Sequence, residues 1–382
     1  MGEKSRFIRL WKLMSSKKYP TLSRWCFINV TKGFHAVKKI VLAAGGPQGV
    51  MLLAPFFSAL SSAGKFLPLA ILGEPLHPEI AECFGLSDPL LCSPGNRPLS
   101  LSESIASMEK RLLGAEPDLV VVFGSDTSAL AAALVAAQLG LPVAAADAGL
   151  RSGEPQEQAE MNRRLIDTIA DMHFVSEHSG LYNLVSEGLD EERLLFAGNL
   201  AIDSLAALME RSGALSVAGR YGSEPKKYAL LLPGSQPDPA LDPIISQLAS
   251  VLSVIVLQPE DGGWKLEPPD GVQLIERPEP SALLALLRDS AMLLTASGEF
   301  QAEATVMNVP CLTLRERSER PSTLEIGTNT LVGMDTEAIV HQARHIQNAP
   351  ANERSRSKIP EKWDGAAAGR MAEMLTHLIA DN

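Results

Sequence analysis

His341 and His345 stand four residues apart, a spacing that places two imidazoles on one helix face, as a zinc site would begin. No third His, Cys or Glu-x-x-His pattern accompanies them, so they read as surface histidines near a helix end and no metal is expected. Gly45-Gly46-Pro47-Gln48-Gly49 follows an apolar run as a phosphate-cradling loop would, but it has neither GxGxxG spacing nor a Gly-Lys-Ser/Thr ending. It reads as a tight strand-to-helix turn facing a cleft. Cys26, Cys83, Cys92 and Cys311 contain no CxxC, which argues against zinc and against a disulfide framework and fits a reducing cytoplasm. What remains for chemistry is a scatter of carboxylates, hydroxyls and arginines, side chains that move protons and hold anions. No motif calls for a cofactor.

Those side chains need a scaffold. The chain of 382 residues is long enough for two domains of ordinary size, and its 46% apolar and 21% charged residues are a globular mix. Short apolar runs alternate with segments of helical period, the pattern of a parallel sheet covered on both faces. The class is therefore α/β. Strands are expected near 39–44, 66–72, 118–123, 142–146, 172–176 and 193–197, and then near 228–233, 252–257, 272–276, 291–295 and 310–314. Leu200 to Arg211 reads as a helix and Ser212 to Lys227 as a connector, so the expected division is 38–211 and 212–358, with residues 359–382 carrying a last helix that crosses back to the first domain. Two such sheets bind ligands outside the carboxyl ends of their strands, in the cleft between them.

The formal charge of −11 repels a nucleic-acid backbone, so nucleic acid is excluded as a partner and an anionic ligand has to be held by a local cluster of donors. Residues 1–39 carry ten Lys or Arg against Glu3, a net of +9, which leaves −20 for the rest. Residues 1–37 form a basic extension with Trp11, Trp25 and Phe27, the one segment suited to an anionic lipid surface. The simpler expectation is an appended arm ahead of the first core strand. It lacks the apolar core of a signal peptide. The charge-free run from Ala129 to Ala146 is broken by Gly140-Leu141-Pro142, so no membrane span is expected.

Asp147-Ala148-Gly149-Leu150-Arg151-Ser152-Gly153, followed by Glu160-Met161-Asn162-Arg163-Arg164-Leu165-Ile166-Asp167, resembles the signature of the non-hydrolysing UDP-N-acetylglucosamine 2-epimerases. In that family Glu-Ala-Gly-Leu-Arg follows a strand and Pro-Glu-Glu-Met-Asn-Arg opens a helix. Gly124 to Leu134, Gly198-Asn199 with Asp203, and Thr295 to Glu303 leading to Glu319-Arg320-Pro321 agree in order and extend the likeness over about 39–346. The resemblance implies a GT-B-like fold of two Rossmann-like domains, a UDP-N-acetylhexosamine or UDP in the cleft, a homodimer, and a role in making cell-surface polysaccharide precursors. It implies that Ser297 and Gly298 start a helix whose free N–H groups meet a diphosphate, that Glu303 accepts from the ribose hydroxyls, and that Arg320 offers a planar fork to a phosphate or to nearby carboxylates. Arg151, Gly234 and Ser235 belong to the same expected binding set.

The catalytic positions depart from the family. Its reaction eliminates UDP across C1–C2 of the sugar and adds it back from the other face, which needs a base for the C2 proton and an acid or cation for the leaving phosphate. The family's Gly-Asp-Thr is Gly124-Ser125-Asp126-Thr127 here, so Ser125 stands at the carboxylate position and Asp126 one place on. Asp147 replaces a Glu, a shortening that moves the carboxylate by about 1 Å and costs on the order of 10²-fold in rate. Ala159 stands for the first Glu of the helix start and only Glu160 remains. Gly234-Ser235-Gln236-Pro237-Asp238 replaces Gly-His-Arg-Arg-Glu, and Gly45 to Gly49 replaces Gly-Thr-Arg-Pro-Glu. Three functions stay open: an isomerase in which Asp126, Asp147, Glu157 or Glu160 have taken over the lost roles; a UDP-sugar-binding or regulatory protein without turnover; and a glycosyltransferase, because Leu231-Leu232-Pro233-Gly234-Ser235 resembles the loop of lipid-A-disaccharide synthases.

Overall fold

The computed structural model describes residues 37–92, 99–212, 217–233, 239–258, 268–349 and 358–380. The basic extension therefore lies outside the described residues, as do Gly234 and Ser235.

The first half runs β1 (Lys38–Ala44), α1 (Pro47–Ala63), β2 (Phe66–Leu72), α2 (Pro78–Phe84), β3 (Leu90–Leu91), α3 (Leu101–Ala115), β4 (Leu119–Phe123), α4 (Thr127–Gln138), β5 (Val143–Ala148), α5 (Gln158–Ile169), β6 (Met172–Val175), α6 (His178–Ser186), β7 (Leu194–Phe196) and α7 (Leu200–Ser212). The second runs β8 (Tyr228–Leu232), α8 (Leu241–Ala249), β9 (Ser253–Leu257), β10 (Val272–Ile275), α9 (Pro280–Asp289), β11 (Met292–Thr295), α10 (Gly298–Val306), β12 (Cys311–Thr313), α11 (Pro321–Glu325), β13 (Asn329–Leu331) and α12 (Thr336–Asn348), and α13 (Ala367–Leu375) closes the chain. The strands pair in parallel in the orders β3-β2-β1-β4-β5-β6-β7 and β10-β9-β8-β11-β12-β13.

Alternation along the strands explains the two-faced burial. Ile40 and Leu42 enter one core of the first sheet while Val41 and Ala43 enter the core on its other face. Ala229 and Leu231 are divided from Leu230 and Leu232 in the same way. Every strand expected from the apolar runs is present. The two not foreseen, β3 and β13, are edge strands of two and three residues, too short to show a period.

The last helix packs on the first sheet's helices: Trp363, Ala367, Met371 and Leu375 join the core that contains Leu53 and Leu205. The first turn of α13 has no cap of its own, and Asp203 of α7 accepts from Ala367 and Ala368 N–H at 3.1 and 2.9 Å, satisfying two donors that the helix start leaves open. Strand order reverses at β1/β4 and at β8/β11, the places where open parallel sheets receive their ligands. Among the described residues no helix is long and apolar enough to cross a membrane.

Candidate functional site

The turn after β1 is held by Asp126. This residue caps α4, its Oδ1 accepting from Ser128 and Ala129 N–H at 2.8 and 3.0 Å, while Oδ2 accepts from Gly46 N–H at 3.0 Å. A Cβ on Gly45 would stand 1.8 Å from Asp126 Oδ1, so glycine is what lets the turn sit on the carboxylate. Across the cleft, Gln48 Nε2 reaches Ser297 Oγ at 3.4 Å. Asp126 therefore has a backbone-holding task at both oxygens. Ser125 gives its carbonyl to Asn162 Nδ2 at 2.8 Å.

Asp147 sits at the end of β5 with φ +58, beside a register shift between Ala146 and Ala148. That left-handed turn swings its carboxylate toward the second domain, where Arg320 meets it with Nη2–Oδ2 2.6 Å and Nη1–Oδ1 3.4 Å. The Arg320 side chain is fully buried and Asp147 is 10% exposed. The fork expected to be offered to a phosphate is thus closed on a carboxylate 173 residues away. Arg320 also lies 5.9 Å from the Trp363 ring, and its Nε has no partner.

Arg151 and Glu160, also in the expected set, are committed inside the first domain. Arg151 grips Glu187 through Nε at 2.8 Å and Nη2 at 2.7 Å and Asp167 through Nη1 at 2.8 Å. Glu160 is wholly buried and accepts from Ser152 N–H at 2.8 Å and Arg164 Nε at 2.9 Å. Burial opposes its charge, but the Ser152 amide and the two arginines Arg164 and Arg163 outweigh it and hold the carboxyl below its usual range. Ala159 offers only a methyl group. Glu157 accepts from Ser152 Oγ at 3.0 Å and from Arg315 Nη2 of the second domain at 2.9 Å.

The second-domain wall is the start of α10. Ser297 is its N-cap residue, yet its hydroxyl makes no capping bond and instead donates to Glu299 Oε2 at 3.0 Å. Gly298 lies against Glu319, and a Cβ there would come within 2.4 Å of Glu319 Oε1. Glu303 is 4% exposed with Oε2 unpartnered. Burial, reinforced by Glu299 and opposed by Arg320, pushes its carboxyl up to about 8.

Two site residues escaped the sequence reading. Glu177, after β6, is 2% exposed with Oε2 unpartnered, and burial lifts its carboxyl to about 7 against the pull of Arg320. Its only sequence signal was an acid directly after an apolar strand. Glu299, an acid in the first turn of α10, carries no sequence signal that sets it apart.

His341 and His345 are both exposed on α12. The described residues instead bring His77, Glu79 and Glu279 within 4.8 Å of one another, between the domains. His77 Nδ1 accepts from Glu79 N–H at 3.2 Å, so the neutral ring carries its proton on Nε2, which faces Glu279 Oε2 at 3.2 Å. Glu79 Oε2 accepts from Ser281 N–H at 3.0 Å. This is an interdomain hydrogen-bond clasp.

Comparison with known proteins gives this arrangement a family. Residues 93–376 match the sequence profile of UDP-N-acetylglucosamine 2-epimerase. A UDP-N-acetylglucosamine 2-epimerase of Methanococcus maripaludis is 30% identical over 258 residues, covering 62% of this chain and 70% of that protein. A probable UDP-N-acetylglucosamine 2-epimerase of Ralstonia nicotianae is 26% identical over 371 residues, 89% of this chain and 99% of its own. The crystal structure of the Methanocaldococcus jannaschii UDP-GlcNAc 2-epimerase, solved with UDP-GlcNAc and UDP, superposes with TM-score 0.78 at 27% identity, covering 89% of this chain and 99% of that one. The two facing parallel-sheet domains are thus the GT-B-like arrangement of these enzymes.

Proposed function

Since the chain belongs to the UDP-N-acetylglucosamine 2-epimerase family, we propose that its interdomain cleft binds a UDP-N-acetylhexosamine and that the family's epimerisation is weakened or lost in it. On this reading 38–211 is the first domain, 212–358 the nucleotide-binding domain, and 359–382 the return to the first. The nucleotide lies on α10, its ribose on Glu303 and its diphosphate at Ser297 and Gly298.

One observation carries the reading: buried Glu303 keeps Oε2 unpartnered in the second turn of α10, while Asp126, Asp147 and Glu160, the carboxylates at or beside the family's catalytic positions, are already engaged. Elimination needs a base with a free lone pair within about 3 Å of the C2 proton and a cation at the departing phosphate. Asp126 holds three backbone N–H groups, Asp147 holds Arg320, and Glu160 holds Ser152 and Arg164. Arg320 in turn has both Nη groups on Asp147. A regulatory or sensing role follows from binding without rapid turnover, and the homodimer of the resemblance forms part of the same reading.

Isothermal calorimetry with UDP tests it. Saturable binding at millimolar ligand or below is expected, and no heat of binding at that concentration would remove the nucleotide assignment.

A further inference from the structure

The start of α10 already carries an anion of the protein's own. Glu299 is the second residue of the helix and is half-buried. Its carboxylate folds back toward the N-cap residue, accepting from Ser297 Oγ at 3.0 Å. A helix start favours an anion because its first N–H groups have no partner within the helix and the macrodipole is positive there. That favourable position is filled by a side chain.

The surroundings sharpen the conflict. Glu303 stands four residues on, on the same face, and the Glu299 charge reinforces the burial that pushes its carboxyl up to about 8. Glu319 presses on Gly298 from the other side. Asp147 and Glu177 face the patch from the first domain, around Arg320, the one fully buried cation among the described residues. Arg163 and Arg315 are shared among Glu160, Glu157 and Glu319. The unpartnered Glu303 Oε2 and Arg320 Nε, both on buried side chains, mark a place where a polar ligand belongs, and the Glu299 carboxylate beside it opposes further negative charge.

We propose that Glu299 is an internal competitor for the ligand's diphosphate: phosphate reaches the N-terminus of α10 only when the Glu299 carboxylate has left it, so residue 299 sets how strongly this cleft accepts a nucleoside diphosphate. The inference rests on the assignment of that helix start to the diphosphate. It makes position 299 a specificity determinant, selecting against ligands whose charge is concentrated at the phosphates.

Calorimetric titration of the full chain with UDP and, separately, with inorganic pyrophosphate separates the two ideas, using the unaltered protein, Glu299→Gln and Glu299→Ala. Removing one like charge at contact range from a phosphate is expected to tighten both ligands at least about tenfold in both variants. Affinities within twofold of the unaltered protein for both ligands would overturn the inference while leaving nucleotide binding intact. Weaker binding in Glu299→Gln would also overturn it, by making Glu299 a ligand contact. Pyrophosphate tightened in the variants with UDP bound by none would sustain the role of Glu299 and remove the nucleotide. Absence of binding of either ligand to any of the three proteins would overturn both.

Discussion

Substituting Asp147 by Asn removes one charge from the interdomain pair while keeping its shape. Asn is the right replacement because position 147 has φ +58, a left-handed conformation that Asn adopts readily and Ala does not. Its amide retains one acceptor for Arg320, so what is lost is chiefly the charge. Leaving a buried cation without its counter-charge costs about 3–5 kcal/mol. Glu177 and Glu299 remain within electrostatic reach of Arg320 and compensate part of this, which brings the expected loss to about 2–3 kcal/mol. For a domain of this size each kcal/mol moves the melting temperature by about 2–4 °C, so scanning calorimetry should show a fall of roughly 4–12 °C. In a double-mutant cycle with Arg320→Met, the combined loss should be smaller than the sum of the single losses by at least about 1 kcal/mol. A melting temperature within about 1 °C of the unaltered protein, together with additive effects, would refute the claim that Asp147 supplies the counter-charge of the buried Arg320.

Three further outcomes follow from the same geometry. Glu303→Ala should weaken UDP at least about fivefold in calorimetry, because a buried ribose hydroxyl left without its partner costs about 1–3 kcal/mol; an unchanged affinity would place the ribose elsewhere. Glu177 and Glu303 titrate near 7 and 8 when folded, above the ordinary carboxyl value of about 4.3, so the stability they contribute is complete below that value and is lost as pH rises through 7 and 8. Melting temperatures should therefore decline from about pH 4.5 to about pH 8, and less steeply in Glu177→Gln and Glu303→Gln; an equal slope in all three proteins would contradict it. Gly149→Ala should cost at least about 2 kcal/mol in urea unfolding, since Gly149 has φ +83 and its Cβ would stand 2.4 Å from the Gly180 carbonyl oxygen; a smaller loss would mean that the α6 start moves aside.

The parallel sheets were readable because their strands are apolar on both faces and end at glycine turns, which is why β1, β4 and β8 begin and end within a residue or two of where periodicity puts them. Edge strands β3 and β13 carry too few residues for any period. The site was readable only as a set of places. Apolar runs and turns tell that Asp147, Ser297 and Arg320 stand at strand and helix ends, but not that Arg320 closes on Asp147, because nothing local connects residues 173 apart. Arg151 and Glu160 show the same limit: both belong to the recognisable motif, and their ion pairs with Glu187, Asp167 and Arg164 turn them inward. Glu299 was missed for a different reason. An acid in the first turn of a helix is so ordinary a stabilising choice that its competition with a ligand shows only once its carboxylate is seen on Ser297.

The central claim is a family cleft that still holds its nucleotide sugar while its chemistry has slowed. Incubation with UDP-N-acetylglucosamine in heavy water, followed by NMR for deuterium at C2 of the sugar and for released UDP, tests it most directly. With the base and the phosphate-stabilising cation both engaged elsewhere, C2 exchange should run at least about 10³-fold slower than in a family member with an intact site, with the sugar nonetheless bound. Rapid C2 exchange that vanishes in Asp147→Asn would contradict the account and show that the carboxylate leaves Arg320 to act as the base.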